Sequence, residues 1–195
     1  MKIPAEGERV ELKESLGEWK EIVKTCAAFA TARGGRIFIG VSDNGQPVGM
    51  QIGKGTLEDL TNKIVQNTHP KIVPALDTVE SKGKTVITLD VPENPAKPVY
   101  AFDKPLRRSG RTNQTLSPAE AADLYFGTRG VTWDETILNE STIEDIRVES
   151  VHEFMGRARN ERRLNAGPDM PFDQVLRQLN LIRGKKTTVA AILLF

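Results

Sequence analysis

Acidic and basic side chains near the N-terminus have the types and spacing of a metal-dependent nuclease site. Glu11 and Lys13 are two residues apart in RVELK, a segment predicted to form a short strand, so their side chains share one face of it. Where such a pair works on phosphates, carboxylates hold Mg²⁺ or Mn²⁺, and the lysine stabilises charge on the phosphate or orients a water. Glu6 would join from a loop or past a bulge at Gly7, because its odd spacing from Glu11 places it on the opposite face of a continuous strand.

A third carboxylate, Asp43, lies in the turn SDNGQP, directly after the apolar run from Arg36 to Val41. That run, RIFIGV, is predicted to be a central strand, and loops at strand ends are where sites are usually built. If the two strands are neighbours, Asp43 completes a three-carboxylate cluster with Glu6 and Glu11. The alternative is that these are solvated side chains on an exposed edge strand.

The second candidate site is a basic segment that runs from Arg107 to Asn113, with the sequence RRSGRTN. Arginine forks bind phosphate oxygens, and small residues between them expose backbone amides. The residues expected to contact nucleic acid are Arg107, Arg108, Arg111 and Asn113, with Arg36 and Lys13 as further contributors. An exposed polar turn is the alternative for this segment, and core packing is favoured over base stacking for Phe102.

The composition excludes several other kinds of protein and site. The chain has 195 residues, with 38% hydrophobic and 27% charged residues and a net charge of +1, which is typical of a globular protein. No apolar run approaches the ~20 residues that cross a bilayer. Cys26 is predicted to be a buried apolar residue, and His69 and His152 lack the spacing of metal ligands. With one cysteine and no apolar signal core, we expect the protein in the cytoplasm.

Hydrophobic periodicity predicts the elements that position these residues. A helix from about Gly17 to Ala32 begins at a Ser15 cap and ends at Gly34 and Gly35. Further on we expect, in order, a second helix, four strands and a third helix: from Thr56, at about 75–80, 85–91, 99–102 and 106–108, and from Pro118 after a Ser117 cap. This order predicts an α+β fold with a mixed β-sheet flanked by helices.

Beyond residue 128 the sequence changes in character. We expect residues 131–140 to be irregular, a helix from Ile143 to Arg163, a break at Gly167-Pro168 and a helix from Phe172 to Leu181. The final run, TTVAAILLF, is predicted to be a hydrophobic strand. A strand that stops at the last residue suggests a longer protein, although a terminal strand docked on a sheet is the alternative.

Three segments in this order resemble the Schlafen AlbA_2 domain family: EGERVELKES, CAAFATARGGRIFIGVSDNGQPVGM and PLRRSGRTNQTLSPAEAADLY. The likeness covers roughly residues 4–126, with Thr31 at a position where the family usually has asparagine. It implies an AlbA_2-like domain over residues 1–128. Residues 129–195 resemble the mainly helical connector that in bacterial members leads to a further C-terminal region.

The resemblance implies two functions for the chain. Bacterial members are usually described as DNA-binding or transcriptional regulator proteins. Schlafen relatives in eukaryotes include endoribonucleases that cleave transfer RNA at a three-carboxylate site, which corresponds here to Glu6, Glu11 and Asp43, with Mg²⁺ or Mn²⁺ as cofactor and Lys13 as a further catalytic candidate. Because those enzymes carry two such domains and this chain carries one, nuclease activity would require a homodimer or another arrangement. A protein interaction module is the third alternative.

Overall fold

The computed structural model describes residues 3–161 and 170–195, which divide into two compact units between Arg129 and Gly130. The first unit contains both predicted site regions, and the second is described separately below. Within the described residues, no helix is long and apolar enough to cross a membrane.

The first unit is built on a four-stranded mixed sheet. Its strands are β1 (Val10–Lys13), β2 (Gly35–Ile39), β4 (Ala75–Ser81) and β5 (Lys84–Val91), in the order β1-β2-β5-β4. β1 runs parallel to β2, and the other pairs are antiparallel. β1, which contains Glu11, and β2, which precedes the turn with Asp43, are therefore neighbours. The three-carboxylate hypothesis requires this arrangement.

A second, antiparallel sheet carries the basic segment. Its strands are β3 (Thr68–His69), β6 (Tyr100–Ala101), β7 (Lys104–Ser109) and β8 (Thr112–Thr115), in the order β3-β6-β7-β8. Arg107 and Arg108 lie in β7, Arg111 in the two-residue turn, and Asn113 in β8 opposite Arg108. The predicted loop is thus a hairpin, in which alternate side chains point to opposite faces.

Three helices cover these sheets: α1 (Trp19–Thr31), α2 (Thr56–Gln66) and α3 (Pro118–Arg129), with a short 3-10 helix at Leu16–Glu18 before α1. α1 is the centre of the main core, because almost its whole surface from Ile22 onward is buried. Ser117 and Glu120 form a reciprocal cap at the start of α3, as the sequence predicted.

Gly34 allows the chain to pass from α1 into β2. Its φ of +70° lies in the left-handed region, and a Cβ there would come within 2.6 Å of the Val91 carbonyl oxygen. Only glycine accepts both constraints without strain. The Gly34 break therefore fixes how β1 and β2 are placed beneath α1.

The second unit contains helices and a small antiparallel sheet. Its elements are β9 (Ile137–Thr142), α4 (Val148–Asn160), α5 (Phe172–Gln178), β10 (Ile182–Arg183), β11 (Lys186–Thr188) and α6 (Val189–Leu194), with 3-10 helices at Trp133–Glu135 and Ile143–Asp145. The strands pair in the order β10-β11-β9 around a core of its own.

Two sequence predictions for this unit were wrong. Residues 137–142 are not irregular but form β9, which pairs with β11. Only the first two residues of the terminal run, Thr187 and Thr188, belong to a strand, β11. The rest forms a helix, because the Thr188 hydroxyl accepts a hydrogen bond from the Ala191 amide at 3.2 Å and caps α6. The predicted helix end at Arg163 and the break at Gly167-Pro168 lie outside the described residues.

Taken together, the described elements form an α+β fold with sheets flanked by helices, as the sequence predicted. β1, α1 and the β7–β8 hairpin meet in the first unit, and this junction positions Glu11, Lys13, Arg108 and Asn113.

Candidate functional site

Glu11 is buried and bound by two cations. One carboxylate oxygen lies 3.2 Å from Lys13 Nζ, and the other accepts a hydrogen bond of 2.6 Å from Arg108. Glu11 and Lys13 share one face of β1, as their spacing predicted. The Lys13 ammonium also lies 3.4 Å from Glu18, so both charged groups of the pair are engaged within the chain.

Arg108 lies at the centre of this junction and is only 3% exposed. Besides Glu11, its guanidinium donates to the Gly7 carbonyl at 3.0 Å, to the Gly110 carbonyl at 3.1 Å and to Asn113 Oδ1 at 2.9 Å. It also stacks over the Phe29 ring at 5.1 Å. Arg108 was predicted to contact phosphate, but its guanidinium is held by these groups of the chain, so a phosphate would have to displace one of them.

A second ion pair joins Glu6 to Arg111. Glu6 lies before β1, where the turn closed by the Gly7 amide and the Val10 carbonyl brings its carboxylate to the Leu12 amide at 3.1 Å. Its other oxygen accepts from Arg111 at 2.6 Å. Burial raises the pKa of Glu6, but the hydrogen bonds from Arg111 and Leu12 outweigh it, and the pKa is lowered overall.

Asp43 is exposed in the turn that follows β2. Together with Glu6 and Arg111 it lines a groove of about 460 Å³, which Glu11 does not line. The structure therefore brings two of the three predicted carboxylates to one groove and buries the third in the junction with Arg108.

These carboxylates do not fit Mg²⁺ or Mn²⁺ as they are placed. Both oxygens of Glu6 and both of Glu11 already face donors of the chain, and across residues 3–161 and 170–195 no three acidic, histidine or cysteine side chains are grouped to hold a metal ion. Such ions need several oxygens directed at one point. As placed here, the carboxylates of Glu6 and Glu11 serve ion pairs within the chain.

The other predicted nucleic-acid ligands are divided among different surfaces. Arg36 is exposed but forms a bidentate ion pair with Asp90, its neighbour on β5 in the four-stranded sheet. Asn113 is held by Arg108 and donates to Thr25 Oγ1 at 2.8 Å. Arg111 is 65% exposed but faces Glu6, and Arg107, on the opposite face of β7 from Arg108, is exposed.

Arg107 belongs to a groove of about 560 Å³ that we call the basic groove. Its charged lining consists of five cationic side chains and two carboxylates: Arg9, Arg33, Lys97, Arg107 and Arg108, with Glu8 and Glu93. The Lys97 ammonium donates to the Ala32 carbonyl at 2.9 Å and to Glu93. This hydrogen bond from Lys97, together with the Lys97, Arg33 and Arg9 charges, lowers the pKa of Glu93.

Sequence reasoning missed Arg9, Arg33 and Lys97 as site residues. They are scattered along the chain, and only the packing of β1, α1 and the segment after β5 brings them to one surface. Arg33 carries a local signal, since it directly precedes the Gly34 break, but nothing local marks Arg9 or Lys97. The burial of Arg108 could have been predicted, because in β7 it alternates with Arg107 and shares a face with buried Leu106.

A family model described as Schlafen, AlbA_2 matches residues 6–117 of the chain. No curated protein matches. The matched segment begins at Glu6 and includes β1, α1 and the whole β7–β8 hairpin, so it spans the junction described above.

Among solved structures, the chain is similar to the DIP2311 protein of Corynebacterium diphtheriae, with 16% identity and a TM-score of 0.53 over 96% of this chain and 35% of that one. The chain thus spans about a third of that protein's length, and the likeness concerns the fold. It is also similar to the N-terminal domain of a RecG-related protein of Nitrosomonas europaea, with 26% identity and a TM-score of 0.44 over 56% of this chain and 84% of that one.

Proposed function

The chain belongs to the Schlafen AlbA_2 family, and we propose that its first unit binds nucleic acid through the phosphates, with the basic groove as the contact surface. Bacterial members of the family are usually described as DNA-binding or transcriptional regulator proteins. We therefore propose duplex DNA as the ligand and a regulatory protein as the setting.

The observation that carries this proposal is a set of arginines with no partner. In the described part of the chain, no hydrogen bond or ion pair holds the guanidinium of Arg9, Arg33 or Arg107, and all three are exposed in one groove. An arginine fork matches two phosphate oxygens, and such contacts are stronger than neutral hydrogen bonds. A solvated arginine with no hydrogen bond or ion pair can bind a phosphate without breaking one, and it gives up only its weaker attraction to carboxylates such as Glu93.

Two other exposed arginines of the first unit, unlike those of the basic groove, are held in ion pairs. Arg36 and Arg111 are also exposed, but each would have to give up a carboxylate partner before it could bind a phosphate. Lys97 adds positive charge at the floor of the basic groove while its ammonium stays bonded to Ala32 and Glu93. The basic groove therefore offers three exposed arginines to phosphates without first breaking an ion pair.

The test is the affinity for a labelled 20-base-pair duplex, measured by fluorescence anisotropy for the whole chain and for an Arg33→Ala/Arg107→Ala double variant. Each lost phosphate contact removes a charge-assisted hydrogen bond, so we expect the double variant to bind at least about tenfold more weakly. Because phosphate contacts carry no sequence information, the loss should be the same for duplexes of different sequence.

Arg183→Ala is a control that removes one arginine charge from an exposed site in the second unit, and we expect it to bind like the unaltered chain. Loss of binding in this control but not in the double variant would place the interface elsewhere. An unaltered chain that fails to bind DNA or RNA duplexes at low salt would refute duplex binding through the basic groove.

A further inference from the structure

A second groove in the first unit combines lysines with an aromatic ring. It has a volume of about 450 Å³ and lies between the start of α1, the β6–β7 hairpin and β8. The residues used below are Lys20, Lys24, Phe102, Lys104 and Thr115. None of its lining residues belongs to the basic groove. We call it the aromatic groove.

Phe102 occupies an unusual backbone position in this groove. It and Asp103 form the two-residue turn between β6 and β7, and both have positive φ, of 50° and 62°. Such turns favour Asn-Gly, and a bulky side chain in the left-handed region is an outlier. Strained backbone positions of this kind cluster at ligand sites. Here the strained residue is also the one whose aromatic ring lines the groove.

The Phe102 ring is supported from behind and remains partly exposed. It packs edge-on against Trp19 with 6.0 Å between ring centroids, and it touches the main core. Its burial is intermediate, so part of the ring stays accessible from the groove. A rigid, half-exposed aromatic ring is a platform on which a planar ligand can stack.

Positive charge surrounds this platform. Lys20, Lys24 and Lys104 line the aromatic groove, and the one carboxylate in its lining, Glu21, is already paired with Lys24 at 2.7 Å. The Lys20 ammonium lies 5.8 Å from the centre of the Trp19 ring. The exposed Thr115 hydroxyl adds a neutral donor and acceptor at the same wall.

We propose that the aromatic groove binds a nucleotide unit, with the base against Phe102 and the phosphate at Lys20 and Lys104. Its volume falls in the range of small-ligand pockets, which run from about 300 to 1,000 Å³. The unit is either a free nucleotide or an unpaired nucleotide of a strand. Both sources present the same chemistry, a planar base and a phosphate, to the same residues.

The experiment measures binding of AMP and of a single-stranded thymidine hexamer to the whole chain by isothermal titration calorimetry. Adenosine and inorganic phosphate, the two halves of the ligand, should each bind at least about tenfold more weakly than AMP. Phe102→Leu keeps an apolar side chain but removes the ring, and we expect it to weaken binding about tenfold, the loss typical of one base stack. Lys104→Ala, at an exposed position that does not threaten folding, should weaken AMP but not adenosine.

Tryptophan fluorescence locates the bound molecule. In a Trp133→Phe background, Trp19 is the remaining tryptophan, and its emission should change as AMP or the hexamer binds. If AMP binds, a free nucleotide is sufficient to occupy the aromatic groove. If only the hexamer binds, the ligand is an unpaired nucleotide within a strand. Either outcome supports the proposal.

Two controls separate this site from the basic groove. Lys54→Ala, at an exposed lysine outside both grooves, should leave binding unchanged. The Arg33→Ala/Arg107→Ala variant should lose duplex binding but keep AMP or hexamer binding at Trp19. The proposal is overturned if neither ligand binds at millimolar concentration, or if Phe102→Leu and Lys104→Ala both bind as tightly as the unaltered chain.

Discussion

Arg108 shows how a residue that resembles a ligand-binding arginine can instead hold the fold together. Its guanidinium binds Glu11, two backbone carbonyls at about 3 Å and the Asn113 amide, all within the interior of the first unit. A buried cation of this kind needs every partner it has, because an unpaired charge in the interior is strongly destabilising. Breaking the ion pair between Arg108 and Glu11 and measuring stability therefore tests whether Glu11 has a structural role.

We expect Glu11→Gln to lower the free energy of unfolding by about 3 kcal/mol, the cost of breaking a buried ion pair. The side chains of Arg108 and Glu11 are only 1% and 9% exposed, so solvent cannot replace the lost charge. Urea denaturation measures the change. Glu18→Gln, which removes an exposed partner of the same Lys13, should cost less than about 1 kcal/mol. A Glu11→Gln protein as stable as the unaltered chain would instead favour a catalytic role for this carboxylate.

The pair of Glu6 with Arg111 predicts a dependence of stability on pH. The pKa of Glu6 is lowered in the folded chain from its ordinary value of 4.5, so the folded state favours the ionised carboxylate. Its contribution to stability is therefore fully present above pH 4.5 and is lost as the pH falls through the lower, folded-state pKa.

The measurement is the difference in unfolding free energy between the unaltered chain and Glu6→Gln across a pH series. We expect the difference to be constant from neutral pH down to about pH 5 and to shrink as the pH falls below 4.5, the ordinary pKa of a glutamate, towards the lowered pKa of Glu6 in the folded chain. Since Arg111 is mostly exposed, added salt should reduce the difference as well. A difference that grows on acidification has the wrong sign for this ion pair and would contradict it.

Among the structural elements, the passage from α1 to β2 tolerates substitution least. A Cβ on Gly34 would meet the Val91 carbonyl at 2.6 Å and the Glu93 amide at 2.9 Å, both of them backbone atoms. We expect Gly34→Ala to cost about 2 kcal/mol or more in unfolding free energy, from the left-handed backbone and the clash together. Gly45→Ala is the control, since it also has positive φ but has no atom within 4 Å of an added Cβ.

Gly45→Ala should therefore lower the unfolding free energy only by the cost of a left-handed backbone for alanine, about 1 kcal/mol. Thermal and urea unfolding of the two variants side by side would show the difference. Equal losses in both would mean that the close approach of the chain after β5 contributes nothing.

The elements also show where sequence reasoning succeeds and where it fails. α1 was predictable from its apolar periodicity, β2 from its apolar run and α3 from the Ser117 cap, and each of these local signals agrees with the packing. VAAILL has no such periodicity, and an apolar run of this length is consistent with a buried strand or a helix. The Thr188 side chain caps the run and so favours the helix. From the sequence alone, Thr188 could equally be a residue inside a strand.

The candidate site was less predictable than the fold, for a physical reason. That Glu11 and Lys13 share a face follows from β1 alone, and this prediction is confirmed. Which cation Glu11 meets depends on β7, and β7 reaches β1 only through tertiary packing. The same holds for the basic groove, whose exposed arginines lie just before β1, shortly after α1 and in β7.

For the whole molecule, the proposed interface predicts a specific response to salt. If Arg9, Arg33 and Arg107 each neutralise one phosphate, the logarithm of the duplex association constant should fall with the logarithm of salt concentration with a slope of roughly −3. In the Arg33→Ala/Arg107→Ala variant the slope should be smaller by about 2. A slope near zero for the unaltered chain would show that the bound state does not depend on phosphates.

The two compact units have separate apolar cores, one around α1 and the main sheet and one around α4 and α5. We therefore expect a fragment of residues 1–129 to unfold cooperatively by itself and to bind the duplex as the whole chain does. Circular dichroism on heating, followed by anisotropy, tests both statements. A fragment that does not fold would mean that the first core is incomplete without the second unit.

The reach of Arg108 along the sequence has a consequence for how the protein is made. Its partners Glu11 and Gly7 lie 97 and 101 residues earlier in the chain. A ribosome adds about 5 to 20 residues per second, so β1 is exposed for roughly 5 to 20 seconds before the side chain that fixes it has been synthesised. During that interval Glu11 has Lys13 beside it but lacks the buried arginine that donates to its other oxygen, and the first unit closes only when the β7–β8 hairpin has left the ribosome.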